Sequence, residues 1–198
     1  MILVYYSACK NFQKSRHDTA WRLLEYVISK NFGEDIKTLK LTEGPQGKPY
    51  FEDRPDISFN LSHSGEYAVC AIRTDGKPIG VDIEEIRPIP ARVKNRYLGG
   101  YCDETEAIRR WTRRESYGKF TGEGLKAPCP DEIMKNEPGS DTALPNGFCF
   151  TEHRIGKYMI TVCTENLSHG EKSPDNSPGI EFIEVENSAL PAPIFGAI

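Results

Sequence analysis

A chain of 198 residues, 38% hydrophobic and 27% charged, has the make-up of one soluble folded unit, or of two small halves that share a core. Its formal net charge of −4 argues against a general nucleic-acid binder. The apolar start, Met1 to Tyr6, is far shorter than a signal-peptide core or a membrane span, so no membrane is expected and the cytoplasm is the expected location.

Residues 2–6 form an apolar run that predicts a buried strand, and over 19–29 Leu23, Leu24, Val27 and Ile28 recur at helical spacing. Asp18 stands where a cap for that helix belongs, and Gly33 lies just beyond its end. Residues 36–41 alternate apolar and polar as a half-buried strand does, and the Gly and Pro of 44–49 break it into a turn. Strands are predicted over 57–61 and 67–72, joined by a polar loop at 62–66. Asp75 and Gly76 have the chemistry of a hairpin turn leading into a strand over 79–84, so an antiparallel meander is expected. Pro88 and Pro90 close that unit, a short helix is expected over 91–98, and Gly99 and Gly100 end it. A longer helix is predicted from Glu104 to Phe120, with Asp103 and Glu106 at the spacing of a capping box.

Between 121 and 147 the abundance of Gly, Pro, Asp and Asn predicts a long flexible loop. Strands resume over 148–153 and 158–163, residues 173–179 read as a loop, 180–185 as a last strand, and the tail with Pro191 and Pro193 as loosely held. The segments 66–70 and 157–163 resemble each other, a weak sign of two related halves. Six cysteines include no C-x-x-C pair, and Cys70 and Cys163 lie inside apolar runs, so reduced core thiols are expected. His17, His63, His153 and His169 have no spacing that supplies a zinc site.

Charge is uneven along the chain. Residues 87–119 hold nine Lys and Arg against four acids, whereas 165–198 hold Lys172 against six acids. The basic segment suits an anionic ligand or a small acidic partner, and equally a solvated helix face.

In the strand predicted over 79–84, Asp82 and Glu84 point to one face while Val81 and Ile83 point to the other. Neighbouring carboxylates repel unless a proton or cation lies between them, and a hard divalent ion is the usual resolution; a strand with one face in water shows the same pattern. Trp111, Glu115 and Lys119 fall at i, i+4 and i+8, bringing a third carboxylate and an ammonium into one helical row. An exposed Glu–Lys pair, contributing only ~0.3–0.5 kcal/mol, reads identically. Ser62, His63, Ser64 and Gly65 combine imidazole, hydroxyls and close backbone approach, which suits phosphate oxygens or a solvated turn. Gly47 and Pro49 hold Lys48 in a conformationally restricted loop.

Taken in order, Gly47-Lys48-Pro49, Phe59-Asn60-Leu61-Ser62-His63-Ser64, Gly80-Val81-Asp82-Ile83-Glu84 and Trp111-Thr112-Arg113-Arg114-Glu115-Ser116-Tyr117-Gly118-Lys119 closely resemble the motif series of the phosphopantetheinyl transferase superfamily. The match is to its larger, single-chain type, which activates peptide and polyketide synthases, and it covers chiefly residues 47–125. The resemblance implies an α+β fold of two similar halves with pseudo-twofold symmetry, each a small antiparallel sheet packed on helices. It places the halves at 1–78 and 79–198, with the metal site and the flexible loop 121–147 in the second.

The implied activity is Mg²⁺-dependent transfer of the 4'-phosphopantetheine group of coenzyme A to a serine of an acyl or peptidyl carrier protein, releasing 3',5'-ADP. By position, the resemblance gives Asp82, Glu84 and Glu115 to the metal, and Lys48, Ser62, His63 and Ser64 to the coenzyme A phosphates. Lys119 would neutralise the pyrophosphate, and Glu115 is the candidate base for the carrier serine. Lys14, Arg16 and Arg22 are the cations available for the 3'-phosphate. Arg114 stands where the family's W-x-x-K-E motif has lysine, and 96–100 lacks the family's phenylalanine-rich stretch. A monomer is expected. Two other readings stay open: a metal-dependent phosphohydrolase using the same acids, and a degenerate module that binds coenzyme A or a carrier without transfer.

Overall fold

The computed structural model of the chain describes residues 1–9, 16–100, 102–128, 147–165 and 179–192. In chain order it contains β1 (Ile2–Ala8), α1 (Arg16–Phe32), β2 (Leu41–Glu43), β3 (Pro49–Phe51), β4 (Ser58–Ser64), β5 (Tyr67–Arg73), β6 (Ile79–Glu85), α2 (Ala91–Tyr97), α3 (Glu104–Thr121), β7 (Phe148–Ile155), β8 (Tyr158–Glu165) and β9 (Ile180–Glu184). One sheet has the order β4-β5-β1-β9, a second β6-β8-β7, and β2 and β3 form a separate short hairpin.

The α+β architecture follows from alternation. On β1, Leu3 and Tyr5 face α1 and pack with its Leu23, Leu24, Val27 and Ile28, while Ile2 and Val4 face the opposite way. There they meet Val69 and Ala71 of β5 and, from the second sheet, Val81, Ile83, Ile160 and Val162. The outer face of that second sheet is covered by α3, whose Thr112 hydroxyl lies 2.7 Å from that of Thr161 on β8. The layers therefore run α1, first sheet, second sheet, α3, with an apolar core between the two sheets. The hairpins β4–β5 and β7–β8 both turn at a glycine with positive φ, Gly65 and Gly156. Tyr67 and Tyr158 just beyond those turns meet edge to face, their centroids 5.0 Å apart.

The helix over 19–29 is found and extends back to Arg16, so Asp18 lies inside the first turn of α1 and is not its cap. For α3, the Asp103 side chain accepts a 2.8 Å bond from the Glu106 amide, and Gly122 ends the helix in the left-handed region at φ 78°. The described cysteines, Cys9, Cys70, Cys102, Cys149 and Cys163, are all buried. No helix among the described residues is long and apolar enough to cross a membrane.

Several expected elements differ. Residues 36–41 do not form one strand: Ile36–Thr38 is a 3-10 turn, capped where the Asp35 side chain accepts from the Lys37 amide, and β2 begins only at Leu41. The polar stretch 62–66 is not a loop as far as Ser64, because Ser62, His63 and Ser64 pair with Val69, Ala68 and Tyr67. The expected meander fails at β6, since β4 and β1 already occupy both edges of β5; β6 pairs with β8 instead. The sheets are antiparallel at every pairing except β1 with β9, which run parallel. Of the predicted loop 121–147, residues 129–146 lie outside the described residues, as do 166–178, 193–198, Lys14, Cys129 and His169.

Candidate active site

The site forms where the edge of the first sheet meets the edge of the second. Every second residue of β4, namely Asn60, Ser62 and Ser64, turns toward β6, while Phe59 and Leu61 pack toward α1. Asn60 Oδ1 accepts from the Val81 amide at 2.8 Å, and Ser62 Oγ accepts from the Ile83 amide at 3.4 Å. These side chains satisfy backbone donors on the open edge of β6, which would otherwise be buried unpaired. Ser62 Oγ also donates to Asp82 Oδ1 at 2.8 Å, and Ser64 Oγ donates to Glu84 Oε2 at 2.7 Å.

From α3, Lys119 Nζ donates to Asp82 Oδ1 at 2.8 Å, Ser62 Oγ at 2.9 Å and the Val81 carbonyl at 3.0 Å. An ammonium has three protons, and all three are directed inward here. Close approach of α3 to β6 makes this reach possible. A Cβ on Gly80 would stand 2.0 Å from the Ser116 carbonyl oxygen and 2.5 Å from the Phe120 amide nitrogen, so the helix backbone rests directly on this glycine.

Asp82, Glu84, Glu115 and Lys119 line one pocket of about 470 Å³, together with Ser62 and His63 of β4. Burial, and then the Asp82 charge, raise the Glu115 carboxyl above the usual carboxylate range, against the pull of Lys119. Burial likewise raises Glu84, opposed by the Ser64 hydrogen bond and aided by Asp82. Asp82 Oδ2 is buried without a hydrogen-bond partner among the described residues. Burial lowers the His63 pKa, as do the charges of Arg16, His17 and Lys119.

A family model described as "4'-phosphopantetheinyl transferase, N-terminal" matches residues 11–75. A 4'-phosphopantetheinyl transferase of Bacillus subtilis is 31% identical over 177 residues, covering 81% of this chain and 75% of its own length. Psf-1 of Bacillus pumilus, another 4'-phosphopantetheinyl transferase, is 31% identical over 182 residues, 83% of this chain and 74% of that protein. Sfp of Bacillus subtilis strain 168 is 34% identical over 117 residues, 54% of this chain and 51% of that protein.

The chain belongs to the 4'-phosphopantetheinyl transferase family. Within this family member the structure separates the residues singled out in the sequence. Ser62, His63, Asp82, Glu84, Glu115 and Lys119 share the pocket, and Ser64 reaches it through Glu84. Lys48 does not line it: its ammonium donates to the carbonyls of Ile79 at 2.9 Å and Lys119 at 2.6 Å. Arg16 is exposed at the start of α1, near enough for its charge to act on His63. Arg22 Nη2 bonds the Leu190 carbonyl at 3.2 Å, and its Nε bonds the Pro191 carbonyl. Arg114, at the family's lysine position, bonds the Leu125 carbonyl at 3.0 Å and lies over the Tyr97 ring.

Four pocket residues were not singled out as site residues in the sequence, His17, Ala20 and Trp21 of α1 and Glu43 of β2; the two aromatic ones touch each other. Trp21 Nε1 donates to His17 Nε2 at 3.1 Å, and the His17 ring meets that of His63 at 6.3 Å. Their i, i+4 spacing was the available signal, but an exposed pair on any helix shows the same spacing. The basic segment 87–119 is only partly a surface. Arg109 and Arg113 are buried against Glu152, and Arg110 pairs with Glu106 at 2.7 Å, leaving Arg87, Arg92 and Arg96 exposed.

Among the described residues no group of three or more His, Cys, Asp and Glu side chains is arranged to hold a metal ion. The donor chemistry nevertheless suits a hard divalent cation. Asp82, Glu84 and Glu115 share the pocket, with the exposed Glu43 as a fourth carboxylate in its lining; burial and neighbouring negative charge raise Glu84 and Glu115, and Asp82 Oδ2 has no partner among the described residues.

Proposed function

We propose that this protein transfers the 4'-phosphopantetheine group of coenzyme A to a serine of an acyl or peptidyl carrier protein, in a Mg²⁺-dependent reaction that releases 3',5'-ADP. The observation that supports this most strongly is the convergence of Asp82, Glu84, Glu115 and Lys119 with His63 and Ser62 in one pocket between the two sheets. Asp82, Glu84 and Glu115 would hold the Mg²⁺. When bound, the ion would neutralise charge on phosphate oxygens during the displacement.

The chain's own groups supply the rest. His63 and Ser62 line the pocket wall from β4: His63 offers an N–H donor to phosphate oxygens, while the Ser62 hydroxyl is held on Asp82 and Ser64 on Glu84. Arg16, exposed at the start of α1 with its charge acting on His63, offers a guanidinium for the 3'-phosphate. Lys119 holds Asp82 in place and brings positive charge beside the pyrophosphate. Glu115, whose proton affinity is raised by burial, takes the proton of the carrier serine as its oxygen attacks the phosphorus attached to pantetheine.

The halves 1–78 and 79–198 would relate by a pseudo-twofold axis, with α1 on its sheet matching α3 on the other. The proposed assembly is a monomer and the proposed location is the cytoplasm. The exposed Arg92 and Arg96 of α2 suit an acidic carrier. Charge reversal at both should raise the carrier's KM about tenfold or more and leave that for coenzyme A within about twofold. Equal effects on the two substrates would remove α2 from the docking surface.

The deciding experiment is intact-mass spectrometry of apo carrier proteins incubated with the protein, coenzyme A and Mg²⁺. A phosphopantetheine-sized gain is expected that vanishes with chelator and with Asp82→Ala. Phosphate release without any carrier gain would point to hydrolysis instead.

A further inference from the structure

Among the described residues β6 pairs with β8 along one edge, and side chains occupy the other edge. Asn60 takes the Val81 amide, Ser62 the Ile83 amide, Lys119 the Val81 carbonyl and Lys48 the Ile79 carbonyl. Lys48 also bonds the carbonyl of Lys119, one of the last four carbonyls of α3 that helical geometry leaves without a partner. An ammonium at a helix C-terminus is further favoured by the negative end of the helix dipole.

We propose that Lys48 is a positioning residue, whose ammonium clips the last turn of α3 to the first residue of β6 and thereby sets Lys119 and Glu115 against Asp82, instead of binding a phosphate of the substrate. The location supports this. Lys48 projects from the 44–49 turn into the seam beside Asn60 and Gly118, away from the pocket that holds the acids. Both of its carbonyl bonds are within normal hydrogen-bond reach, at 2.9 and 2.6 Å, so the side chain ties together three elements that are far apart in sequence. Gly80 lies next to Ile79 and permits the backbone contact that this clip fastens.

Lys48 also differs electrostatically from an anion-binding lysine. Burial lowers its pKa to about 8. The groups around it are the Cys163 thiol of β8, kept neutral by burial, and the Glu52 and Glu123 side chains on the rim of the adjoining groove. A neutral amine retains two N–H groups and can keep both carbonyl bonds, whereas a phosphate contact is weakened when the charge is lost.

The inference rests on the transferase reading, and its test is chosen to stand apart from it. Coenzyme A binding by calorimetry is compared for the wild type at about pH 7 and about pH 9, and for Lys48→Met and Lys48→Gln. Hydrogen exchange is followed at the amides of β6 and of the end of α3. Expected are coenzyme A affinities within about twofold throughout, exchange at least about tenfold faster in both variants at those amides, and kcat reduced about tenfold with KM for coenzyme A kept. A loss of coenzyme A affinity of about tenfold, in the variants or in the wild type at high pH, with exchange unchanged, would overturn the proposal. If a variant does not fold, the wild-type pH series still decides. The exchange result stands even for a protein that fails to modify a carrier.

Discussion

Asp82, Glu84 and Glu115 share a pocket with the Lys119 ammonium, which is placed on Asp82. Glu84 and Glu115 are therefore less compensated, and burial raises the pKa of both. A carboxyl whose folded pKa is raised binds its proton more tightly in the folded state. Its contribution to stability is full below the unfolded value, about pH 4.3, and is lost as pH rises through the raised value. Without a divalent cation, these two groups should make the protein less stable at about pH 8 than at about pH 5. Glu115→Gln removes one of the buried charges, so its Tm with chelator at about pH 8 should rise by a few degrees. Its transfer rate at saturating Mg²⁺ should fall about a hundredfold, the lower range for loss of a general base. Thermal melts at the two pH values and a carrier-modification assay read these outcomes. Unchanged turnover would remove Glu115 from the base role, and an unchanged Tm would show that its burial costs little.

At the scale of elements, the site depends on α3 lying directly on β6. Gly80→Ala places a methyl group 2.0 Å from the Ser116 carbonyl oxygen, which belongs to a helix backbone and not to a side chain able to swing away. The helix must retreat, carrying Glu115 and Lys119 with it. Overpacking of this kind costs about 1–3 kcal/mol or more, so a clear drop in Tm with at least about a tenfold loss of transfer is expected. A variant with wild-type Tm and rate would show that the contact gives way freely. The helices that carry this packing were legible in the sequence, because a 3.6-residue apolar period and caps such as Asp103 are local signals. Strand partners were not. The Asp75-Gly76 turn is correct hairpin chemistry, yet β6 leaves the first sheet because β5 has no free edge, which is a property of the assembled sheet. The end of β4 was misread for a related reason: Ser62, His63 and Ser64 look like loop residues, and their polarity instead serves the edge of β6. The Asp82–Glu84 and Glu115–Lys119 spacings were legible because each lies within one element. The committed state of Lys48 and the arrival of His17 and Trp21 depend on how elements meet.

Over the whole molecule, the chain returns at its end to where it began. β9 pairs in parallel with β1, so the first sheet is completed by residues 180–184, which follow all the strands of the second sheet in the chain. Nothing local in those residues names β1 as the partner, since a parallel pairing needs no turn between its strands. The segment that follows is held as firmly. Val185 and Leu190 are buried in the core beside α1, the Val185 amide bonds the Tyr6 carbonyl at 2.8 Å, and the Asn187 side chain bonds the Ala8 carbonyl at 2.8 Å. Arg22 of α1 grips the carbonyls of Leu190 and Pro191. Removing residues 180–198 would strip an edge from β1 and open the α1 core, leaving an unpaired strand edge that invites aggregation. The truncated chain should be insoluble or lack a cooperative melt, although every residue of the proposed active site is still present. Arg22→Ala is the milder counterpart: it leaves buried carbonyls without their donor and should cost about 1–3 kcal/mol, read as a lowered Tm. If the truncated chain melted cooperatively within a few degrees of the full chain, β9 would be an accessory to the fold. If it failed to fold while Arg22→Ala stayed soluble with a lowered Tm, the C-terminal strand would be part of the scaffold that holds β4 against β6.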